Sequence, residues 1–276
     1  MRVAILGMGA IGHVVGRALD GRADLVKVDR THAPLREGEA PVDAAIVTAK
    51  TPGTAWAAEI AAKILARGGV GLTIQNGLGN YERLVEHLGA ERAAVGVIYV
   101  GAQFVGGELR ATGPGKIELG RPTAAASRAR LDELAELFRG GGMDVTVVDD
   151  AWPAVWRKVV TNAAVNPITA LIRRTNAELL ADAPASRVAD CIAVEVARVA
   201  TASGVAIRED EAVKQWRAMA ALTGANRSSM LQDVEAGRRT EIDAICGAVA
   251  RVGDGHGVAA PLNQAMTVLV SSLDPS

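Results

Sequence analysis

Two cysteines in 276 residues, no long apolar run and a net charge of −1 remove whole classes of function before any motif is weighed. Cys191 and Cys246 stand far apart, with no CxxC pair or Cys/His cluster beside either. Both therefore read as small core side chains of a reduced, cytoplasmic protein rather than as metal ligands or nucleophiles. His13, His32, His87 and His256 have no triad or metal partner at a recognisable spacing, so no metal is expected. No stretch reaches the roughly eighteen consecutive apolar residues of a membrane span. The apolar run after Met1 is too short for a signal peptide and flows into a glycine turn. Near-neutral charge argues against a nucleic-acid partner and against an acidic membrane surface. Internal repeats and low-complexity segments are missing too.

What is present falls into two textures. Up to about Val148, short β-branched runs alternate with Ala-rich helical stretches: VAILG, LVKVD, AAIVTA, GLTIQ, AAVGVIYV, KIELG and DVTVVD. Short apolar runs separated by helices predict a mostly parallel sheet. From Ala154 to Leu273 only helical periodicity appears, with breaks expected at Gly204, Gly224, Gly237 and Gly253–Gly257. The expectation is an α/β fold: a Rossmann-type dinucleotide-binding domain over residues 1–150, then an all-helical substrate-binding and catalytic domain over 151–276.

Gly7, Gly9 and Gly12 form a GxGxxG turn directly after a predicted strand and before a predicted helix. The first glycine makes the turn, the second lets a pyrophosphate approach the backbone, and the third permits close helix–strand packing. The diphosphate would then sit on the free N–H groups of the helix start, among them those of Ala10 and Ile11. Asp29 ends the second strand, where an acidic side chain would bind the ribose hydroxyls of NAD. Arg30 follows at once and offers a cation to the 2′-phosphate of NADP, and Lys50 adds a second on the same rim.

Lys158, Asn162 and Asn166 recur every fourth residue along AVWRKVVTNAAVNPITAL, which places them on one side of a helix that is otherwise apolar. An ammonium and two carboxamides are costly to bury without partners. Pro167 could account for Asn166 by bending the helix, but not for the other two. A lysine is also what carbonyl reduction needs, because hydride delivery leaves an alkoxide that requires a proton. Asn226 and Ser229 lie three apart and can face one way, or simply cap a helix. Glu241 follows Thr240, which reads as an N-cap. Asn76-Gly77 ends a predicted strand and is first of all a turn signal.

These motifs together resemble the ketopantoate reductase (2-dehydropantoate 2-reductase) family over nearly the whole chain. The likeness rests on GMGAIG (7–12), Lys50 in VTAK, QNGLG (75–79), WRKVVTNAAVNPITAL (156–171), NRSSMLQDVEAGRRTEID (226–243) and HGVAAP (256–261). It implies NADPH-dependent reduction of 2-dehydropantoate to D-pantoate, with Lys158 as general acid and Glu241 as the carboxylate that organises substrate and cofactor. It implies substrate contacts from Asn162, Asn166, Asn226 and Ser229, an asparagine near the nicotinamide in Asn76, and 2′-phosphate contacts from Arg30 and Lys50. Asp29 keeps NAD open, and relatives of this architecture reduce other bulky 2-oxo acids, D-mandelate-type dehydrogenases among them. A nucleotide sensor without catalysis would need only the glycine turn, so Lys158, Asn162 and Glu241 speak against one. A homodimer is open, since oligomeric state is not legible in the sequence.

Overall fold

The computed structural model of the chain describes residues 1–29, 31 and 40–275; Arg30 and His32 lie outside them. The chain separates into two compact units. One comprises Met1–Gln75 and Gly79–Ala151, the other Asn76–Leu78 and Trp152–Ser276.

The first unit is a seven-stranded sheet of β1 (Arg2–Leu6), β2 (Asp24–Val28), β3 (Val42–Val47), β4 (Leu65–Thr73), β5 (Ala93–Val105), β6 (Glu108–Gly120) and β7 (Asp144–Val148). The order is β2-β1-β3-β4-β5-β6-β7, parallel throughout except for β5 against β6. Val, Ile, Leu and Ala fill the central strands because both faces are covered. Helices α1 (Ala10–Leu19) and α4 (Arg128–Gly140) share one apolar cluster with Val3, Ile5, Ile46, Leu72 and Ile117. Helices α2 (Thr54–Ile64) and α3 (Asn80–Leu88) pack on each other and on β3 to β5. The chain passes from β1 to β2 on one side and then to β3 on the other, so the turn after β1 lies at the switch point of the sheet.

Strands β5 and β6 run well beyond AAVGVIYV and KIELG, as a ribbon from Gly101 to Thr112 closed by Gly106-Gly107. Both glycines have positive φ, 59° and 84°, as a two-residue hairpin turn requires. Polar and glycine residues hide the alternation there, so periodicity misses the ribbon.

The second unit is helical: α5 (Trp152–Ile172), α6 (Asn176–Ala181), α7 (Ala183–Ala202), α8 (Glu209–Leu222), α9 (Ser229–Glu235), a π turn over Asp243–Gly247, α10 (Ala248–Gly255) and α11 (Pro261–Ser271). Helix α5 packs against α7, α8, α9 and α11, and is buried on nearly every side. Buried Glu195 of α7 accepts the Leu262 and Asn263 backbone N–H groups, both at 3.0 Å, and so caps α11.

Two local expectations change, the position of the first break and the burial of Cys191. The break expected at Gly253–Gly257 falls at the end of that stretch, where α10 stops at Gly255 and Gly257 has φ 68°. An earlier break precedes Gly204, at Arg173, whose φ is 55°, followed by a capping box of Thr175 and Glu178. Cys191 is exposed on α7, whereas Cys246 is a core residue as expected. Pro167 does not end α5. It has no N–H to give the Ala163 carbonyl, and Cys246 Sγ lies 4.0 Å from that oxygen as a weak donor. Burial, assisted by the charge of Glu195, raises the Cys246 pKa and keeps the thiol protonated and inert. No helix among the described residues is long and apolar enough to cross a membrane, and no cluster of His, Cys, Asp and Glu among them could hold a metal.

Candidate active site

The glycine turn is built by close approach. Gly7 donates its N–H to Val28 O at 2.9 Å and has φ +111°, and a Cβ there would stand 2.4 Å from Ala49 N. A Cβ on Gly12 would meet Gly7 O at 2.1 Å. Either substitution must displace backbone. Gly9 is different: nothing lies within 4 Å of where its Cβ would be, and it is exposed. Gly9 is also the N-cap of α1 and supplies no capping side chain, so a diphosphate can reach the first N–H groups, at Ala10 and Ile11. A cradle open at the second glycine and closed at the other two fits a dinucleotide.

What braces this turn comes from residues remote in the chain and has no local sequence signal. Thr48 Oγ1 donates to Gly7 O at 2.5 Å, and the Thr48 and Ala49 N–H groups donate to Leu6 O. Gln75 then ties Ala49 O to Thr54 Oγ1, at 2.7 and 2.8 Å. Asp29 Oδ1 accepts from the N–H and hydroxyl of Thr31, at 2.8 and 2.6 Å, in a local turn. Lys50 is exposed at the start of the 3-10 turn Thr51–Gly53. Arg30 lies outside the described residues.

In the second unit, α5 carries Lys158, Asn162 and Asn166 as one stripe. Asn166 is 6% exposed, Asn162 and Lys158 part-buried. Neither carboxamide has a hydrogen-bond partner among the described residues. The Asn166 amide atoms are not among the sealed, unpartnered ones, so a polar ligand could reach and pair with them. Burial pushes the Lys158 pKa down from 10.5 to about 8, with the Glu241 carboxylate opposing that shift. Asn76 Nδ2 donates to Glu241 Oε2 at 3.1 Å across 165 residues of sequence. Lys158, Glu241 and Asn76 are thus brought together.

The Asn226–Ser229 pair is less simple than its spacing. The N-cap of α9 is Ser228, which accepts the Leu231 N–H at 3.1 Å and receives the Thr169 hydroxyl at 2.7 Å. Ser229 is the exposed first residue of α9. Asn226 is part-buried; its N–H donates to Thr223 O and its carbonyl accepts from Asn176 N, leaving its amide without a partner among the described residues. Thr240 is not a side-chain cap. Its N–H donates to Asp274 at 2.9 Å, and its buried hydroxyl has no partner among the described residues.

A family model described as ketopantoate reductase PanE/ApbA matches residues 20–123, and its C-terminal counterpart matches residues 150–274. A 2-dehydropantoate 2-reductase of Halobacterium salinarum is 34% identical, over 98% of this chain and 98% of its own. The solved 2-dehydropantoate 2-reductase of Geobacter metallireducens superposes with a TM-score of 0.87 at 30% identity, covering 99% of each chain. D-mandelate dehydrogenase with NADH and anilino(oxo)acetate superposes with a TM-score of 0.90, covering 99% of this chain and 98% of its own. At 24% identity that second likeness is one of fold. With a glycine cradle in one unit and a lysine–carboxamide stripe in the other, the chain belongs to the ketopantoate reductase family.

Proposed function

We propose that this chain reduces 2-dehydropantoate to D-pantoate with NADPH, a step toward pantothenate and coenzyme A, in the cytoplasm. The observation that carries the reading is the α5 stripe: an ammonium of lowered pKa in line with a buried carboxamide that has no partner among the described residues. When bound, NADPH supplies the hydride that turns the keto carbon into an alcohol. The remaining work is done by side chains. Lys158 polarises the keto oxygen as a cation and then releases its proton to it, which a pKa near neutrality favours. Glu241 keeps that ammonium charged despite its burial, and Asn76 holds the Glu241 carboxylate. Asn162, Asn166, Asn226 and Ser229 serve the carboxylate and terminal hydroxyl of the substrate. A site of this kind rejects analogues that leave its polar groups unpaired.

The Gly7–Gly12 turn, with the N–H groups of Ala10 and Ile11, would hold the diphosphate, and Arg30 with Lys50 the 2′-phosphate. Asp29 supports a second reading, NADH-linked reduction of another bulky 2-oxo acid, because an acid at the end of β2 suits ribose hydroxyls. Its engagement with Thr31 favours the first. One assay separates them: a panel of 2-oxo acids against NADPH and NADH, on parent, Asp29→Ala and Arg30→Ala enzymes. NADPH with 2-dehydropantoate should give the highest kcat/KM, Asp29→Ala should widen the NADPH preference, and Arg30→Ala should narrow or reverse it. A parent enzyme faster with NADH moves the assignment to the second reading.

A further inference from the structure

Two hydrogen bonds join the three-residue segment Asn76–Leu78 to the stretch Glu241–Ala244. Leu78 N–H donates to Ala244 O at 2.8 Å, and Asn76 Nδ2 donates to Glu241 Oε2 at 3.1 Å. Gly77 lies between them with φ +85°, and a Cβ on it would stand 2.3 Å from Ala244 O and 2.9 Å from Ala244 Cβ. The receiving surface is the π turn Asp243–Gly247, a rare form that recurs at functional sites. At its entry the Ala244 and Ile245 N–H groups both donate to Glu241 O at 3.1 Å. The turn therefore fixes the backbone of Glu241, and Asn76 fixes its carboxylate. The main-chain and side-chain bonds can close together only if nothing projects from residue 77.

We infer that Gly77 is a positioning residue, whose missing side chain lets Asn76–Leu78 seat on the π turn and hold Glu241 in place. As a turn signal Asn76-Gly77 needs only positive φ; here the glycine is also required by contact. The inference rests on the proposed roles of Lys158 and Glu241, and it deepens them.

The test is a double-mutant cycle of Gly77→Ala and Asn76→Ala on kcat, with melting curves, together with amide hydrogen exchange on the parent protein. Gly77→Ala should lower kcat by roughly 10–100-fold, as expected when a supporting group shifts by about an ångström. It should also move the alkaline limb of kcat to lower pH, because Glu241 no longer supports the charge on Lys158. In the Asn76→Ala background the same substitution should cost less than roughly twofold, since the two act through one bond. Additive losses would overturn the inference. A lower melting temperature for Gly77→Ala is expected, because the added Cβ must displace the Ala244 backbone, and if the variant does not fold at the assay temperature the seating is judged on the parent by exchange. If the parent reduces no 2-oxo acid, it is the functional reading that fails. The seating is then judged by exchange alone: protection of the Leu78 amide comparable to Ile245 supports it, and exchange at a loop rate overturns it.

Discussion

The two proposed sites are built in opposite ways. In the first, the ligand cradle is made of what is absent: Gly7 and Gly12 leave room for backbone, and Gly9 leaves room for something else. In the second, the site is made of what is added to an apolar helix, an ammonium and two carboxamides on α5. A site of missing side chains is sensitive to any addition, one of added side chains to removal. The first kind is suited to a ligand part common to many enzymes, the second to a particular substrate.

Lys158→Ala should break that contrast most sharply, lowering kcat by roughly 10²–10⁴-fold, the range of general acid catalysis, with NADPH affinity and melting near parent values. The pH profile sharpens the same point. Lys158 is protonated below about 8, so kcat for reduction should hold below that pH and fall as pH rises through it. The reverse oxidation, which needs the free amine, should rise over the same interval. An identical limb in Lys158→Ala would assign the titration to another group.

Next in size, Asn166→Ala should lower kcat/KM for the 2-oxo acid by about 1–3 kcal/mol, the cost of a partner left unpaired, and leave the KM for NADPH alone. Equal losses for both ligands would point to disruption of α5 itself. Gly9→Ala is the counter-test in the other unit. Nothing crowds its Cβ and its φ is −76°, so the melting temperature should not move, while NADPH should bind about tenfold more weakly, or ~1.4 kcal/mol. Gly12→Ala should fail on both counts. Were Gly9→Ala to bind NADPH normally, the cradle would not be the diphosphate site. The smallest effect is expected at Cys246→Ala, which removes the donor facing Ala163 O; about 1 kcal/mol, or ~2–4 °C in Tm, is the scale. No change in Tm would mean that the 4.0 Å contact contributes nothing.

The contrast also governs how much could be read in advance. Apolar runs alternating with helical stretches announced all seven strands, most plainly the central ones, whose two covered faces leave little choice of residue. The glycine turn was legible because its three positions fall within six residues, directly between a strand and a helix. The stripe on α5 was legible because helical spacing turns three distant letters into neighbours. Contacts between remote segments were not. Thr48 bracing Gly7, Asn76 meeting Glu241 and Asp274 receiving Thr240 join residues 41, 165 and 34 positions apart, and no local pattern encodes them. Ser228 and Ser229 show the limit of spacing alone. Which of two adjacent serines caps α9 depends on where the helix begins, and a shift of one residue exchanges a buried tie for an exposed side chain. Residues 241–247 defeat helical periodicity for a related reason, since a π turn follows neither the α spacing nor a loop pattern.

The two thiols make the molecule its own stopwatch. Cys191 is open to solvent and Cys246 is sealed inside the π turn that follows Glu241. A thiol-reactive dye would tag the first at once and the second only when that turn breathes. The delay between the two tags measures how often the neighbourhood of Glu241 opens, and lengthening of that delay by NADPH or a 2-oxo acid would report which ligand steadies it, without turnover and without altering a residue.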